Sequence, residues 1–170
     1  MKGRESEEDS DRIALLSDVI LIPEPSEVQT VKRTIYNRNG DCSLDFDIPT
    51  EWFLDFAYTC DTLISYKVGA GRYVDCSITD IEKGAGYSAC FDDLKNDYDA
   101  ENSEIFGKEL QVEGIDDTCY LLYYESKYHK HAVVYLAGSL PYYVKVDVEY
   151  YNKEIWEDIF EDFPKYLFAY

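Results

Sequence analysis

The chain is short of positive charge, histidine and long apolar runs. Only 16 Lys and Arg stand against 35 Asp and Glu, a formal net charge of −19 over 170 residues. That deficit argues against a partner with a phosphate backbone or an anionic lipid surface, and favours something basic. The longest nearly apolar run, Ile13 to Ile22, is broken by Ser17 and Asp18 and is too short to span a bilayer, so no transmembrane segment is expected. Met1 is followed by Lys2, Arg4, Glu5, Glu7, Glu8 and Asp9, with no apolar core of a signal peptide. Two readings of that start stand side by side. Either the protein is cytosolic, or a leader has been removed and the charged stretch tethers an exported domain.

Paired cysteines at metal or redox spacing are also missing. Cys42, Cys60, Cys76, Cys90 and Cys119 contain no C-x-x-C, which argues against a zinc ribbon or a thioredoxin-type site. The expectation is that they act as small buried hydrophobes, with at least one free thiol in a monomer. What the chain does have is 46% apolar residues and 17 tyrosines, enough for a real core in one domain.

Periodicity outlines the elements. Residues 1–11 read as a charged leader, and 12–22 as a helix with Ile13, Leu16 and Ile20 on one side before Pro23 and Pro25. Val31, Arg33 and Ile35 alternate with polar neighbours in an ambiguous strand. Leu44, Phe46 and Ile48 form a half-buried strand ended by Pro49. Ile64, Tyr66 and Val68, then Val74, Cys76 and Ile78, make a hairpin. Ser88 is the expected cap of a helix with Phe91, Leu94 and Tyr98 on one face, followed by an acidic loop. Strands then run from Cys119 to Ser126, His131 to Ala137 and Tyr142 to Tyr150. In the last, Tyr142, Val144, Val146, Val148 and Tyr150 oppose Tyr143, Lys145, Asp147 and Glu149. Asn152 caps a final helix with Ile155, Trp156, Ile159, Phe160 and Phe163 as its apolar stripe. Short links require antiparallel pairing, so the expected fold class is α+β: an antiparallel sheet of about six strands covered by helices, in α/β/α layers.

A strand closing on FDIPTEW, a hairpin, the helix SACFDDLKNDYD, the strand entry VEGIDDTCYLLYYES and the run AVVYLAGSLPYYVKVDVEYYN leading into KEIWEDIFEDF resemble the PsbP-like fold family. The resemblance covers residues 41–168. It implies one PsbP-like domain over 41–170, with residues 1–40 as a charged leader plus a short helix or arm. The family includes a photosystem extrinsic protein, a Ran-binding protein and many bacterial lipoproteins of unknown role. The resemblance therefore implies a binding or scaffold role, often outside the cytoplasm, and no shared catalytic motif.

Motifs with chemical potential weigh toward structural roles. Gly84-Ala85-Gly86-Tyr87-Ser88-Ala89 fits G-x-G-x-x-A, but the flanking strands read as antiparallel, so no dinucleotide is expected and a loop before a helix is the better account. Asp97, Asp99 and Glu101 begin like a calcium loop, but Asn102 and Lys108 stand where Gly and Glu are required. The 92–117 stretch holds ten acids and two lysines and reads as a solvated acidic loop, open at most to weak calcium binding. His129 and His131 share a strand face, and with a third ligand such as Glu125 they make a candidate metal pair. Lys127 and Lys130 crowd them, so the expectation is an exposed turn, with no metal and no cofactor. No G-x-S-x-G elbow is present, and 35 acids allow any carboxylate pair and so select none.

The functional expectation is a non-catalytic binding or scaffold domain displayed outside the cytoplasm as the soluble part of a bacterial lipoprotein. The alternative is a cytosolic acidic inhibitor, an immunity protein or nucleic-acid mimic that binds a basic protein. A hydrolase is a third class, with no residues to nominate. The residues expected to contact a partner are Tyr143 and Lys145 on the outward side of the last strand, and Asp92, Asp93, Asp97, Asp99, Asp116 and Asp117 in the acidic stretch. For the many other tyrosines, an exposed patch and packing beneath helices stand about even.

Overall fold

The computed structural model describes residues 19–20, 29–50, 52–54, 59–67, 72–97, 100, 102–126 and 129–150. Ten strands and one helix are placed in this order: β1 (Val19–Ile20), β2 (Thr30–Tyr36), β3 (Ser43–Pro49), β4 (Phe53–Leu54), β5 (Leu63–Lys67), β6 (Arg72–Glu82), α1 (Tyr87–Lys95), β7 (Ile105–Val112), β8 (Cys119–Glu125), β9 (Lys130–Leu136) and β10 (Tyr142–Tyr150). The main sheet runs β1-β7-β8-β9-β10-β6-β5-β4, and β2 and β3 form a separate pair. Its six long strands are antiparallel, as the short connections demand.

β8 and β9 are buried along almost their whole length, which is why CYLLYY and HAVVYL read as continuous apolar runs. β10 alternates, and Val144, Val146 and Val148 are buried on one face of the sheet. Each such side chain contributes about 1.5–3 kcal/mol by leaving water. The hairpin of β2 and β3 adds Ile35, Phe46 and Ile48 to the same core. The Tyr36 N–H donates to the Asp61 carbonyl at 2.8 Å, tying that hairpin to the turn before β5.

Several expectations change. Val19 and Ile20 lie in a strand paired in parallel with Gln111 and Val112, not in a helix; two β-branched residues suit a sheet edge. The rest of the expected 12–22 helix, and the helix expected after Asn152, lie outside the described residues. The expected covering of the sheet by helices is not evident: among the described residues α1 is the one helix. The acidic loop contains a full strand, β7, in which Leu110 and Val112 are buried and Gly107, Glu109 and Gln111 exposed. The hairpin of β2 and β3 pairs Thr30–Tyr36 with Ser43–Pro49 across a turn at 37–42. That turn uses Gly40 at φ 73° and the buried Asn37, whose side-chain Oδ1 accepts the Cys42 N–H at 3.1 Å. All five cysteines are free thiols; Cys76, Cys90 and Cys119 are buried as expected, whereas Cys42 is half-buried and Cys60 exposed.

Candidate functional site

The helix face of the sheet carries a polar strip instead of a uniform apolar layer. Its first part lies beneath α1. The helix begins at Tyr87 after Gly86, which caps it without a side chain, so Ser88 is not the cap. Gly84 and Gly86 have φ of 95° and 93°, a region that favours glycine, and their amides point at Tyr143. The Tyr143 hydroxyl accepts the N–H groups of Gly84 at 3.1 Å and Gly86 at 3.3 Å. The G-x-G-x-x-A segment thus directs its amides to a side chain of its own domain.

Tyr143 was expected at an exposed aromatic patch, but it is only 1% exposed. Period-two alternation puts it on the face opposite Val144, and α1 with its approach loop covers that face. A bulge in the β6–β10 pairing accompanies the change, where Thr79 Oγ1 donates to the Tyr143 carbonyl at 2.8 Å. Tyr120 and Tyr135 pack edgewise on Tyr143 at 6.1 and 6.5 Å, and Tyr87 lies 5.8 Å from Tyr120. Tyr120, Tyr123, Tyr124, Tyr135 and Tyr150 are buried too, so packing wins over an exposed patch for these rings. Tyr128 and Tyr151 lie outside the described residues.

Lys145 points under the same helix. Its ammonium donates to Asp97 at 2.8 Å and to Asp93 at 3.3 Å, and its side chain is 14% exposed. Tyr135 donates its hydroxyl to the same Asp93 oxygen at 2.7 Å, and the ammonium sits 5.8 Å from the Tyr135 ring centre. Burial alone would lower the Lys145 pKa, but Asp93, Asp97 and Asp147 together raise it above its ordinary value. Burial, then Asp93, pushes the Tyr135 phenol strongly upward. Lys145, Asp93 and Asp97 therefore form an internal clamp between β10 and α1, where a partner-facing surface was expected. Asp92, Asp116 and Asp117 are exposed, and Asp117 reaches Lys83 at 3.4 Å. Asp99 lies outside the described residues.

The second part of the strip continues along β9 and β10. Glu149 pairs in register with His131, and Asp147 with Val133. His131 Nδ1 lies 2.9 Å from Asp147 Oδ1, and His131 Nε2 lies 3.7 Å from Glu149 Oε1. His129 Nδ1 approaches the same Glu149 oxygen at 2.8 Å. The Tyr124 ring stacks on His131 at 4.4 Å with planes 7° apart. Burial tends to raise the Asp147 pKa, but His131, by charge and hydrogen bond, and Lys145 outweigh it and hold the carboxyl below its ordinary value.

The exposed turn expected at these histidines is therefore corrected: His131 is 3% exposed and His129 half-buried. β9 starts at Lys130, which turns the histidines onto the sheet face, and alternation sends Lys130 to the opposite face. Glu149 occupies the position weighed for Glu125. The signals for this cluster were the shared face of His129 and His131 and the Lys145-Asp147-Glu149 alternation; what joins them is the strand register.

Thiol chemistry finds little support. Burial pushes Cys76 and Cys90 up to about 12 and also raises Cys119. Beside the clamp lies an open depression of about 390 Å³ lined by residues that include Arg38, Thr62, Ser77, Asp80, Asp93 and Lys145. No helix among the described residues is long and apolar enough to cross a membrane.

No family model matches the chain. No curated protein matches it either. Among solved structures it is similar to the solution structure of cyanobacterial PsbP (CyanoP) from Synechocystis sp. PCC 6803, at 9% identity and a TM-score of 0.49, over 82% of this chain and 92% of that one.

Proposed function

We propose that the chain is a non-catalytic binding domain whose partner is a basic protein. One observation carries this reading. Among the described residues, twelve acids are exposed (Asp41, Asp45, Asp47, Asp61, Asp80, Glu82, Asp92, Glu104, Glu109, Glu113, Asp116 and Asp117) against six cations (Lys32, Arg33, Arg38, Lys67, Lys83 and Lys95). Lys130 is buried and Lys145 is held by Asp93 and Asp97, so neither relieves that surface. Such a field speeds encounter with a cationic partner and weakens with salt. The non-catalytic part of the reading draws support from the clamp, where Lys145, Tyr135 and Tyr143 serve internal bonds, and from the suppressed ionisation of the buried thiols.

Two settings fit such a domain: display outside the cytoplasm as part of a lipoprotein, or a cytosolic inhibitor of a basic toxin. Five free cysteines favour the second, because exported domains generally oxidise theirs. The test is capture of partners from a lysate of the source organism on immobilised protein, with a salt gradient, beside an Asp92→Asn/Asp116→Asn/Asp117→Asn variant. The expected result is a basic protein held at low salt, released as salt rises, and held less well by the variant. No retained protein, or retention indifferent to salt and to the three substitutions, overturns the reading.

A further inference from the structure

We propose that His129, His131 and Glu149 bind one divalent transition-metal ion of the zinc class, with Asp147 as the positioning residue for His131. The three donor groups lie within 4.8 Å of one another. They come from the segment before β9, from β9 and from β10, so the strand register brings them together. Two ligands bound about 2.0–2.1 Å from a tetrahedral ion sit about 3.3 Å apart. The observed 2.8 and 3.7 Å from Glu149 Oε1 to the two imidazoles bracket that spacing.

The surroundings complete the arrangement of a metal-binding histidine. An ionised Asp147 can only accept, so Nδ1 of His131 carries the hydrogen of their 2.9 Å contact, and Nε2, on the Glu149 side, is the nitrogen that gives up its proton to the metal. A carboxylate behind a ligating imidazole is the common way to fix its tautomer and orientation. Stacked Tyr124 holds the ring plane, so little rotamer freedom remains to be lost on binding. The charges also match: Glu149 and Asp147 supply two negative charges beside two neutral imidazoles, which balance a divalent cation. Two nitrogens and one carboxylate suit Zn²⁺ or Co²⁺, whereas Ca²⁺ and Mg²⁺ take oxygen ligands. A fourth position remains for water or a partner's side chain. This site is independent of the acidic surface and does not rest on the partner reading.

The test is calorimetric titration of EDTA-treated full-length protein with ZnCl₂, with melting curves and the visible spectrum of the Co²⁺ form. One equivalent should bind, raise the melting temperature and give the d–d bands of a tetrahedral nitrogen–oxygen site. His129→Ala and Glu149→Gln should each weaken binding at least about tenfold, and Asp147→Asn by about 10–100-fold. Asp61→Asn, at an exposed acid away from the cluster, should leave it unchanged. His129 is only half-buried, so its variant keeps the test open if a His131 variant does not fold. Absence of binding overturns the proposal. So does binding of undiminished affinity in both His129→Ala and Glu149→Gln, which would place the ion on scattered surface carboxylates.

Discussion

The Tyr143 hydroxyl accepts the backbone N–H of Gly84 at 3.1 Å. With the second bond, from Gly86, one phenol on β10 fixes the loop that launches α1. Tyr143→Phe keeps the ring packing and removes the acceptor. It should lower stability by about 1 kcal/mol, read as a reduced urea midpoint at unchanged slope. A midpoint equal to that of the parent protein would mean that water serves these amides equally well.

Lys145→Met keeps the aliphatic stem but leaves Asp93 and Asp97 facing each other without their cation. Breaking a fully buried pair costs about 3–5 kcal/mol. Asp93 and Asp97 are 35% and 41% exposed, so solvent screens them and about 1–3 kcal/mol is expected. A double-mutant cycle with Asp97→Asn should return a coupling of at least about 0.5 kcal/mol. Strict additivity would show that the clamp is geometrically present but energetically idle.

Gly107 lies on the exposed side of β7, yet it has no room for a side chain. A Cβ there would come within 2.6 Å of Tyr87 Cε2 and 2.9 Å of its Cζ. Gly107→Ala should therefore cost about 1–3 kcal/mol by pushing Tyr87, and α1 with it, off the sheet. In a Tyr87→Ala background the same substitution should cost nothing, or stabilise slightly by restricting the unfolded chain. Thermal melts of the four proteins decide the point, and an equal cost in both backgrounds would clear Tyr87 of the clash.

The thiols set an alkaline limit. Cys76 and Cys90 have folded pKa values near 12 against 9.0 for an ordinary thiol, chiefly because burial penalises the thiolate. A folded value above the unfolded one means that the native state holds its protons longer. The associated stability is complete below about pH 9 and is lost progressively as pH rises toward 12. Melting temperature should fall across that window, less steeply in Cys76→Ala/Cys90→Ala. With a thiol reagent at neutral pH, Cys60 should react first, because it is exposed and its hydrogen bond with Thr62 lowers its pKa. Cys76, Cys90 and Cys119 should react only on unfolding. A flat melting profile from pH 8 to 11, or rapid labelling of all five, would contradict this account.

The contrast between β7 and β10 shows what was legible. In β10, Val144, Val146 and Val148 alternate with polar residues, and both the strand and its two faces follow from that pattern. In β7 the alternation is there, but Lys108 takes one inward place and ten acids in the surrounding stretch make it read as solvated loop. Tyr143 and His131 failed for another reason. Periodicity tells which face a side chain takes and is silent on what covers that face. The covering of Tyr143 by α1 and the pairing of His131 with Glu149 are non-local, set by contacts between segments far apart or by a register that no single segment encodes.

The position of β10 has a consequence for how the protein is made. It is the last described strand in sequence but lies between β9 and β6. The β5–β6 hairpin and the β7–β8–β9 meander can each close from neighbouring residues as the chain emerges. They stay two separate half-sheets until β10 arrives, because Glu82 meets its partner Tyr142 only about 60 residues later. At about 5–20 residues per second, translation leaves the paired edge of β6 open for about 3–12 s. During that interval the nascent chain offers an unfilled strand slot, lined by Val74, Cys76 and Ile78, to any chaperone or stray strand that reaches it first.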